Sequence, residues 1–385
     1  MIEHEGLVRE GEAFQPMRAQ LETARHLPGE IYVSPEIYRR EMSEFFYRDW
    51  IFMGRVEEFP NPGDYEARRI LERPVVIARG KDGELRAFYN MCRHRGVEVA
   101  EGKGNAAFFM CPYHGWTYDL EGRLTGASYM KEAPGFDTAN CRLPPIRLEV
   151  WRGNIFVSLA ADPPPFEQAL AEFETDFAAL HTENCRLADV TRFSLACNWK
   201  FFHENLMDFY HVGVLHANTF GKHFRWTPKN VTLKDGGGIT IRYKAAPSTP
   251  DGKTRFAKAP WLEAEENSFA CTGFLPPNLT LFGRIDCVKL MTAWPQGPDR
   301  CEVKIYLLFP ESFFADPEFD AKLQVYHDYQ IRIYEEDRSM IESMQRAMAM
   351  PIYEPGRLSV MEKPIHHFLN GYLDRIFGPE AGRQG

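Results

Sequence analysis

The sequence is poor in several features that mark common classes of protein. It has 8 cysteines in 385 residues, which is too few for a disulfide framework. It has no apolar run approaching the roughly 18 residues of a membrane span. The formal net charge is -9 and lysine and arginine form no cluster, so nucleic acid and anionic membranes are poor candidates for the main partner. We therefore expect a small-molecule ligand.

Two further signals are absent. The N-terminus, Met1-Ile2-Glu3-His4-Glu5, is acidic where a signal peptide would be basic and then apolar, so we expect a cytoplasmic protein. No Gly-x-Gly-x-x-Gly motif follows a predicted strand, and Gly236-Gly237-Gly238 is more simply a loop. Flavin or nicotinamide chemistry, if the protein depends on it, must therefore reside on a separate protein.

The chain is long enough for two domains with full cores. Ser34-Pro35-Glu36 predicts the start of an amphipathic helix, with Ser34 as the N-cap and proline in the first turn. Asp162-Pro163-Pro164-Pro165 is the clearest boundary signal. We predict an N-terminal arm and helix over 1–47 that packs with the last domain, a β domain over 48–161, and a second domain over 162–385.

Apolar runs bounded by turn residues predict the strands of both domains. In the second domain they alternate with long amphipathic helices, which favours an α+β chain with an antiparallel sheet. The predicted strands include Ile51–Met53, Arg73–Ala78, Leu85–Tyr89, Gly238–Tyr243, Leu279–Phe282, Val288–Trp294 and Cys301–Phe309.

Two Cys-His pairs on neighbouring loops predict a metal site. Cys92 and His94 are spaced C-x-H, sixteen residues follow, and Cys111 and His114 are spaced C-x-x-H. This pattern is neither a zinc ribbon nor a zinc finger. It suits a [2Fe-2S] cluster in which the cysteines hold one iron and the histidines hold the other. A structural zinc loop, or four unrelated buried residues, is the alternative.

A second constellation lies in the second domain as Asp208-x2-His211-x4-His216. On a helix Asp208 and His211 would share a face, and Gly213 would let the chain bend before His216. Two histidines and one carboxylate form the site used by Fe(II) oxygenases, so a third ligand from a distant segment is expected. Unrelated surface or core histidines are the alternative.

With their flanks, Cys-Arg-His-Arg-Gly and Cys-Pro-Tyr-His-Gly-Trp, the two Cys-His pairs resemble the motif of Rieske non-haem iron oxygenases, and residues 208–216 resemble the catalytic motif of the same family. The resemblance implies the alpha, or oxygenase, component, with a Rieske domain and a helix-grip catalytic domain. It implies a mononuclear Fe(II) held by His211, His216 and Asp337, with Asp208 linking to a neighbouring subunit's cluster through a histidine such as His114. Glu335, Glu336 and Glu342 lie close to Asp337 in the sequence. The alternative interpretation is therefore a charged, solvent-exposed helix face without a metal ligand.

The branch of the family stays open. The Asn205-x2-Asp208 spacing resembles monooxygenases and demethylases, and marks Asn205 with Asp208 as candidate catalytic residues, whereas Tyr210-His211-Val212-Gly213 resembles the ring-dihydroxylating branch. We expect hydroxylation of an aromatic or other small organic substrate, as in aromatic hydrocarbon catabolism. O- or N-demethylation is the alternative, and a pure Rieske electron carrier or a zinc-stabilised binding module comes after it.

The resemblance also implies partners: a ferredoxin or flavin-dependent NAD(P)H reductase, and a ring homotrimer that can include a small beta subunit. Six further cysteines are expected to be reduced core thiols. Nine residues could line an apolar cavity, although a place in the core is the commoner role for each: Met207, Val212, Leu215, Phe220, Phe274, Leu275, Leu279, Leu281 and Phe282.

Overall fold

The computed structural model describes residues 10–130, 132–221 and 231–378. These residues group into two compact units. One is formed by residues 46–166, and the other combines residues 10–45 with 167–378.

The unit of residues 46–166 is built from short antiparallel strands. Their bounds are β1 Ile51–Arg55, β2 Asp64–Ile70, β3 Arg73–Arg79, β4 Leu85–Tyr89, β5 Lys103–Asn105, β6 Phe109–Met110, β7 Thr117–Tyr118, β8 Leu124–Gly126, β9 Pro145–Trp151 and β10 Asn154–Ser158. A seven-stranded sheet has the order β1-β10-β9-β4-β3-β2-β5, and β6, β7 and β8 form a three-stranded sheet. One Cys-His loop leaves this framework after β4 and the other after β6.

The other unit holds one seven-stranded antiparallel sheet. Its strands are β11 Cys185–Leu195, β12 Val231–Leu233, β13 Ile239–Lys244, β14 Phe269–Leu275, β15 Leu279–Arg284, β16 Val288–Gly297 and β17 Arg300–Pro310. The order is β11-β17-β16-β15-β14-β13-β12. The sequence did not predict β11, because Arg186, Asp189 and Arg192 break its apolar pattern, yet it pairs with β17 along almost its whole length.

Helices of the same unit pack against this second seven-stranded sheet, and the α+β prediction is confirmed. The described α-helices are α1 Glu10–Arg18, α2 Glu30–Val33, α3 Pro35–Glu41, α4 Phe166–Phe177, α5 Trp199–Met207, α6 Val212–Leu215, α7 Phe319–Met348 and α8 Lys363–Phe377. The side chain of Ser34 accepts a hydrogen bond from the Ile37 N–H as the predicted N-cap of α3. No helix in the described part of the chain has the length and apolar character to cross a membrane.

Helix α5, which leads into the second predicted motif, is fixed by one buried carboxylate. Glu41 accepts hydrogen bonds from Nε1 of Trp199 at 2.9 Å and from the hydroxyl of Tyr372 at 2.7 Å. It also forms an ion pair with Lys200, and both side chains are fully buried. A buried ion pair is tolerated only when its remaining polar atoms are also satisfied, as they are for Glu41. These contacts fix the position of α5, and the residues of the second motif follow directly from this helix.

Candidate metal centres and the cavity beside them

The two Cys-His loops have the same backbone design. The N–H of Cys92 donates to the carbonyl of Val97, and the N–H of Gly96 donates back to Cys92. In the second loop the N–H of Cys111 donates to Trp116, and the N–H of Gly115 donates to Cys111. Gly96 and Gly115 have φ of 80° and 70°, a left-handed conformation that favours glycine. Each loop thus closes into a tight turn around its cysteine.

The side chains at the tips of these loops suit a Rieske cluster. Cys92 and Cys111 are buried, whereas His94 and His114 are exposed. The Nδ1 atoms of the two histidines face each other at 3.2 Å. Two nitrogens bound to one tetrahedral metal at about 2.1 Å are separated by about 3.4 Å. The histidine pair is thus spaced to share one iron, with the cysteines placed inward for the other.

Aromatic residues support both loops. The ring of Trp116 stacks on His94 with centroids 4.9 Å apart. The hydroxyl oxygen of Tyr118 lies 3.3 Å from Sγ of Cys92 and accepts from the N–H of Arg93. Burial, together with the Cys92 contact, raises the pKa of Tyr118, so this hydroxyl keeps its proton and can donate it to the sulfur.

The second motif is less helical than its spacing suggested. Helix α5 ends at Met207, and Asp208 has the extended φ and ψ of -83° and 106°. His211 precedes the short helix α6, which continues through Gly213. The expectation of one helix that bends at Gly213 is therefore wrong, because the break lies between Asp208 and His211. The break leaves the pair close, with Oδ2 of Asp208 3.0 Å from Nδ1 of His211.

Three residues from two distant segments meet at one point. His211, His216 and Asp337 each offer a ligand atom within 4.8 Å of the others. Oδ1 of Asp337, on α7, lies 2.9 Å from Nε2 of His216 and 3.6 Å from Nε2 of His211. This Oδ1 atom is buried, and none of these approaches has hydrogen-bond alignment. Donors that converge without bonding each other fit a bound metal, and two imidazoles with one carboxylate are the donor set of a non-haem Fe(II) site.

The acidic neighbours of Asp337 have other partners. Glu336 accepts from Nδ1 of His216 at 2.7 Å and from the hydroxyl of Thr219 at 2.8 Å. Glu335 pairs with Arg338, and Glu342 accepts from the N–H of Ala196. Each histidine therefore has a carboxylate behind Nδ1, which leaves Nε2 for a metal. Sequence reasoning missed this role of Glu336, and its position next to Asp337 was the available signal.

Charge interactions within the triad of His211, His216 and Asp337 shift the pKa values of His211 and Asp337. Burial alone would lower the pKa of His211, but Asp208 and Asp337 raise it to about 9. Burial would raise the pKa of Asp337, but His211 and His216 lower it. An anionic carboxylate thus faces a cationic imidazole, and a divalent ion would replace the proton between them.

A cavity that is partly open to solvent adjoins these three residues. Of the nine candidates for its lining, Val212, Phe220 and Phe282 line it, while Met207, Phe274, Leu279 and Leu281 are core residues and Leu215 and Leu275 lie outside the lining. The candidate catalytic residues Asn205 and Asp208 both line it. So do residues that sequence reasoning missed: Leu206, Phe209, Tyr243, Ala246, Ser248, Arg284, Lys289, Ile333 and Tyr334.

The remaining cysteines behave as expected. No disulfide joins any of the eight cysteines, all of which lie in the described part of the chain, and Cys141 is partly exposed while Cys185, Cys197, Cys271, Cys287 and Cys301 are buried. The core position is confirmed for these five, and their reduced state stays a prediction. Cys141 lies at the edge of the core around the cluster loops.

Two protein-family models match the chain. A model described as the ring hydroxylating alpha subunit (catalytic domain) covers residues 175–378, and one described as the Rieske [2Fe-2S] domain covers residues 49–140. The first spans more than half of the chain, and together they include every candidate ligand.

Similar proteins include the glycine betaine monooxygenase oxygenase subunit of Pseudomonas aeruginosa strain UCBPP-PA14. It is 28% identical, and the match covers 91% of this chain and 89% of that protein. A quaternary ammonium Rieske monooxygenase solved with L-carnitine superposes with a TM-score of 0.74 at 22% identity, covering 92% of this chain and 96% of that one. Naphthalene 1,2-dioxygenase from Rhodococcus sp. bound to indole gives a TM-score of 0.78 at 21% identity, covering 99% and 100%. The structural likenesses show a shared fold.

Proposed function

The chain belongs to the family of Rieske ring-hydroxylating oxygenase alpha subunits, and from that premise we propose that it is the terminal oxygenase of a multicomponent monooxygenase for a small organic substrate. Its cofactors are a Rieske [2Fe-2S] cluster and a mononuclear iron. In this proposal Cys92, Cys111, His94 and His114 hold the cluster in the domain of residues 48–161. His211, His216 and Asp337 hold the iron in the domain of residues 162–385.

One observation carries the proposal: the triad of His211, His216 and Asp337 borders a cavity that is lined mainly by apolar and aromatic side chains and partly open to solvent. His211, His216 and Asp337 would hold the iron, and the iron would supply O2 activation. The protein supplies the rest. Glu336 orients His216 through its hydrogen bond to Nδ1, and Asp208 lies 3.0 Å from Nδ1 of His211. Aromatic side chains of the cavity wall provide an apolar surface for the substrate.

The balanced reaction of a monooxygenase fixes what the partners must provide. A substrate RH, O2, two electrons and two protons give ROH and water. The cluster would supply one-electron transfer, and a ferredoxin or a flavin-dependent NAD(P)H reductase would be the source of the electrons. The exposed edges of His94 and His114, with the half-exposed rings of Tyr113 and Phe108 in the same unit, support docking of such a carrier.

We also propose a ring homotrimer in which Asp208 passes electrons from a neighbouring subunit's cluster to the iron. Asp208 contacts His211 and is only partly buried, so a residue of a neighbouring subunit can reach its carboxylate. A solved structure of a quaternary ammonium Rieske monooxygenase is described as giving insight into inter-subunit electron transfer. Mixing a Cys92→Ser protein with an Asp208→Asn protein tests the route, because only electron transfer between subunits restores activity in mixed oligomers.

A monooxygenase of this family could give two kinds of product, a stable alcohol or a demethylated compound. Dihydroxylation of an aromatic ring is a third outcome and stays a prediction. Hydroxylation at a ring or alkyl carbon keeps the new hydroxyl in the product. Hydroxylation at a methyl carbon on nitrogen or oxygen gives an unstable intermediate that releases formaldehyde. The second outcome is favoured by the relative named glycine betaine monooxygenase, whose match spans nearly the whole chain.

Substrate-dependent consumption of NADH and O2, with a generic reductase and a panel of aromatic acids, aryl ethers and N-methyl amines, tests the proposal. We expect iron near three atoms per chain and incorporation of one atom of labelled O2 into the product. Two irons per chain and no O2 uptake would instead indicate an electron carrier. Zinc without acid-labile sulfide would remove the proposal altogether.

A further inference from the structure

Two cations line the cavity beside the metal triad, and nothing in the oxygenase chemistry above uses them. Lys289 is 6% exposed, and Nε of Arg284 is buried without a hydrogen-bond acceptor. Lys and Arg are almost never buried without a counter-charge, because the loss of hydration is costly. Their place in the cavity wall therefore calls for an explanation.

The register of the sheet brings these two charges onto one face. Phe282 of β15 lies opposite Lys289 of β16, and Arg284 follows two residues after Phe282. Side chains two apart on a strand point to the same face, and directly paired residues share a face. All three line the cavity, so the sheet presents two like charges from adjacent strands to the same space.

Neither Lys289 nor Arg284 forms an ion pair with a carboxylate within the part of the chain that the structure describes. The guanidinium of Arg284 donates to the carbonyl of Gly283 and interacts with Tyr243. Asp286 favours the charged form of Lys289, but burial outweighs this effect and lowers the pKa of Lys289 to about 8. Asp286 itself accepts the hydroxyl of Tyr326, and burial raises its pKa to about 6. The acids that line the cavity are Asp208 and Asp337, and both face His211.

We propose that Arg284 and Lys289 form the subsite for a carboxylate of the substrate, so that the oxygenase acts on small organic acids. The inference rests on the proposed function and names the substrate class for that site. A guanidinium presents paired N–H groups to both oxygens of a carboxylate, and an ammonium adds a point charge beside it. In a buried cavity these interactions are stronger than in water, and the anion removes the repulsion between the two cations.

The rest of the wall holds the guanidinium in place. It lies 5.3 Å from the ring of Tyr243 and 5.5 Å from the ring of Phe282. The small side chain of Ala270, which pairs with Tyr243 on one side and with Arg284 on the other, leaves room for this contact. Since Arg284 already uses these two rings, a quaternary ammonium group cannot use the same faces. A cation that lacks a carboxylate is therefore a poor ligand.

Matched pairs of compounds test the subsite without any mutation. The full-length protein is titrated with benzoate and benzamide, and with glycine betaine and choline, by calorimetry and by the shift in Tm. The first pair probes aromatic acids and the second probes betaines. We expect the acid of at least one pair to bind at least about tenfold more tightly than its partner. If no acid binds, or if the neutral or cationic partner binds equally well, the inference is wrong.

Variants then locate the subsite. Arg284→Gln should weaken binding of the acid by between about 10- and 100-fold, and Lys289→Gln by about tenfold, with little change for the amide or alcohol. Lys244→Gln is the matched control, because Lys244 lies on β13 of the same sheet and forms an exposed pair with Glu266; it should leave binding unchanged. Unchanged acid binding in a folded Arg284→Gln protein would overturn the assignment.

The two proposals fail in different ways. Tight, Arg284-dependent binding of an acid with no O2 uptake from any member of the panel would retain the subsite and remove the oxygenase proposal. Oxygenation of neutral compounds in preference to acids would retain the oxygenase proposal and remove the subsite.

Discussion

The two candidate metal centres of this chain are built in opposite ways. The cluster site takes its four residues from two short loops within 23 positions of sequence, from Cys92 to His114, and leaves its histidines exposed. The mononuclear site joins residues more than a hundred positions apart, and both His216 and Asp337 are buried. An exposed centre suits exchange of electrons with a partner, whereas a buried centre suits a reaction that must exclude water.

The difference also shows where each site obtains its rigidity. Each cluster loop is stabilised locally, because its own backbone hydrogen bonds close it around its cysteine. The triad has no such local frame: His211 and His216 stand on either side of α6, and Asp337 comes from α7. Its geometry depends on side chains behind the ligands, chiefly Asp208 and Glu336. We therefore expect the mononuclear site to be the more sensitive to single substitutions.

The largest effect is expected for Asp337→Ala, which removes the charged donor from the buried triad. Iron should fall from about three to about two atoms per chain, and product formation should be lost, while the cluster spectrum stays normal. The same holds for His211→Ala and His216→Ala. Asp328→Ala, at an exposed position of the same helix, is the control and should keep all iron. Full iron in Asp337→Ala, with loss in Glu336→Ala, would move the third ligand by one residue.

Asp208→Asn comes next, with an expected loss of at least about 100-fold in product formation. Asp208 uses both oxygens, Oδ1 for the N–H of Tyr210 and Oδ2 for His211, and asparagine has one oxygen and no charge. Both metal centres, the oligomer and the rate of cluster reduction should be retained. Asp189→Asn is matched to it, because Asp189 contacts Nδ1 of His327 at the same 3.0 Å outside the cavity lining. Normal turnover in Asp208→Asn would show another electron route.

The same contrast explains what the sequence could reveal. Cys92, His94, Cys111 and His114 were predicted as cluster ligands from their spacing, and His211 and His216 were predicted as iron ligands because they lie close together in the sequence. Asp337 came from resemblance, since nothing local separates it from Glu336. Lys289 could have been recognised from its neighbours, because it lies between Val288 and Leu290 in a strand that is buried on both faces. Burying a charge there costs free energy that only a ligand or a partner residue offsets.

Glu336→Gln should have an effect of about tenfold on iron affinity, within the usual range for residues that orient ligands. Glutamine can still accept from Thr219, but it replaces a charged acceptor for Nδ1 of His216 with a neutral one. Retention of iron during dialysis against a chelator measures the change. Glu342→Gln, on the same helix and bonded to the N–H of Ala196, serves as the control. Equal retention in both variants would mean that Glu336 does not position His216.

The smallest effect is expected at the self-supporting cluster site. Tyr118→Phe removes the hydroxyl that lies 3.3 Å from Sγ of Cys92 and that accepts from the N–H of Arg93. It leaves in place the backbone hydrogen bonds that close both loops. A hydrogen bond to a cluster sulfur stabilises the reduced, more negative state, so its loss should lower the reduction potential. A net contribution of about 1 kcal/mol corresponds to roughly 40 mV for a one-electron couple.

Direct electrochemistry measures the shift, and Tyr65→Phe, in which the hydroxyl that donates to the carbonyl of Glu101 is removed, is the control. Because the ligands themselves are untouched, iron content and the cluster spectrum should stay normal. A loss of the cluster in Tyr118→Phe would show that this site, like the mononuclear one, depends on side chains behind its ligands.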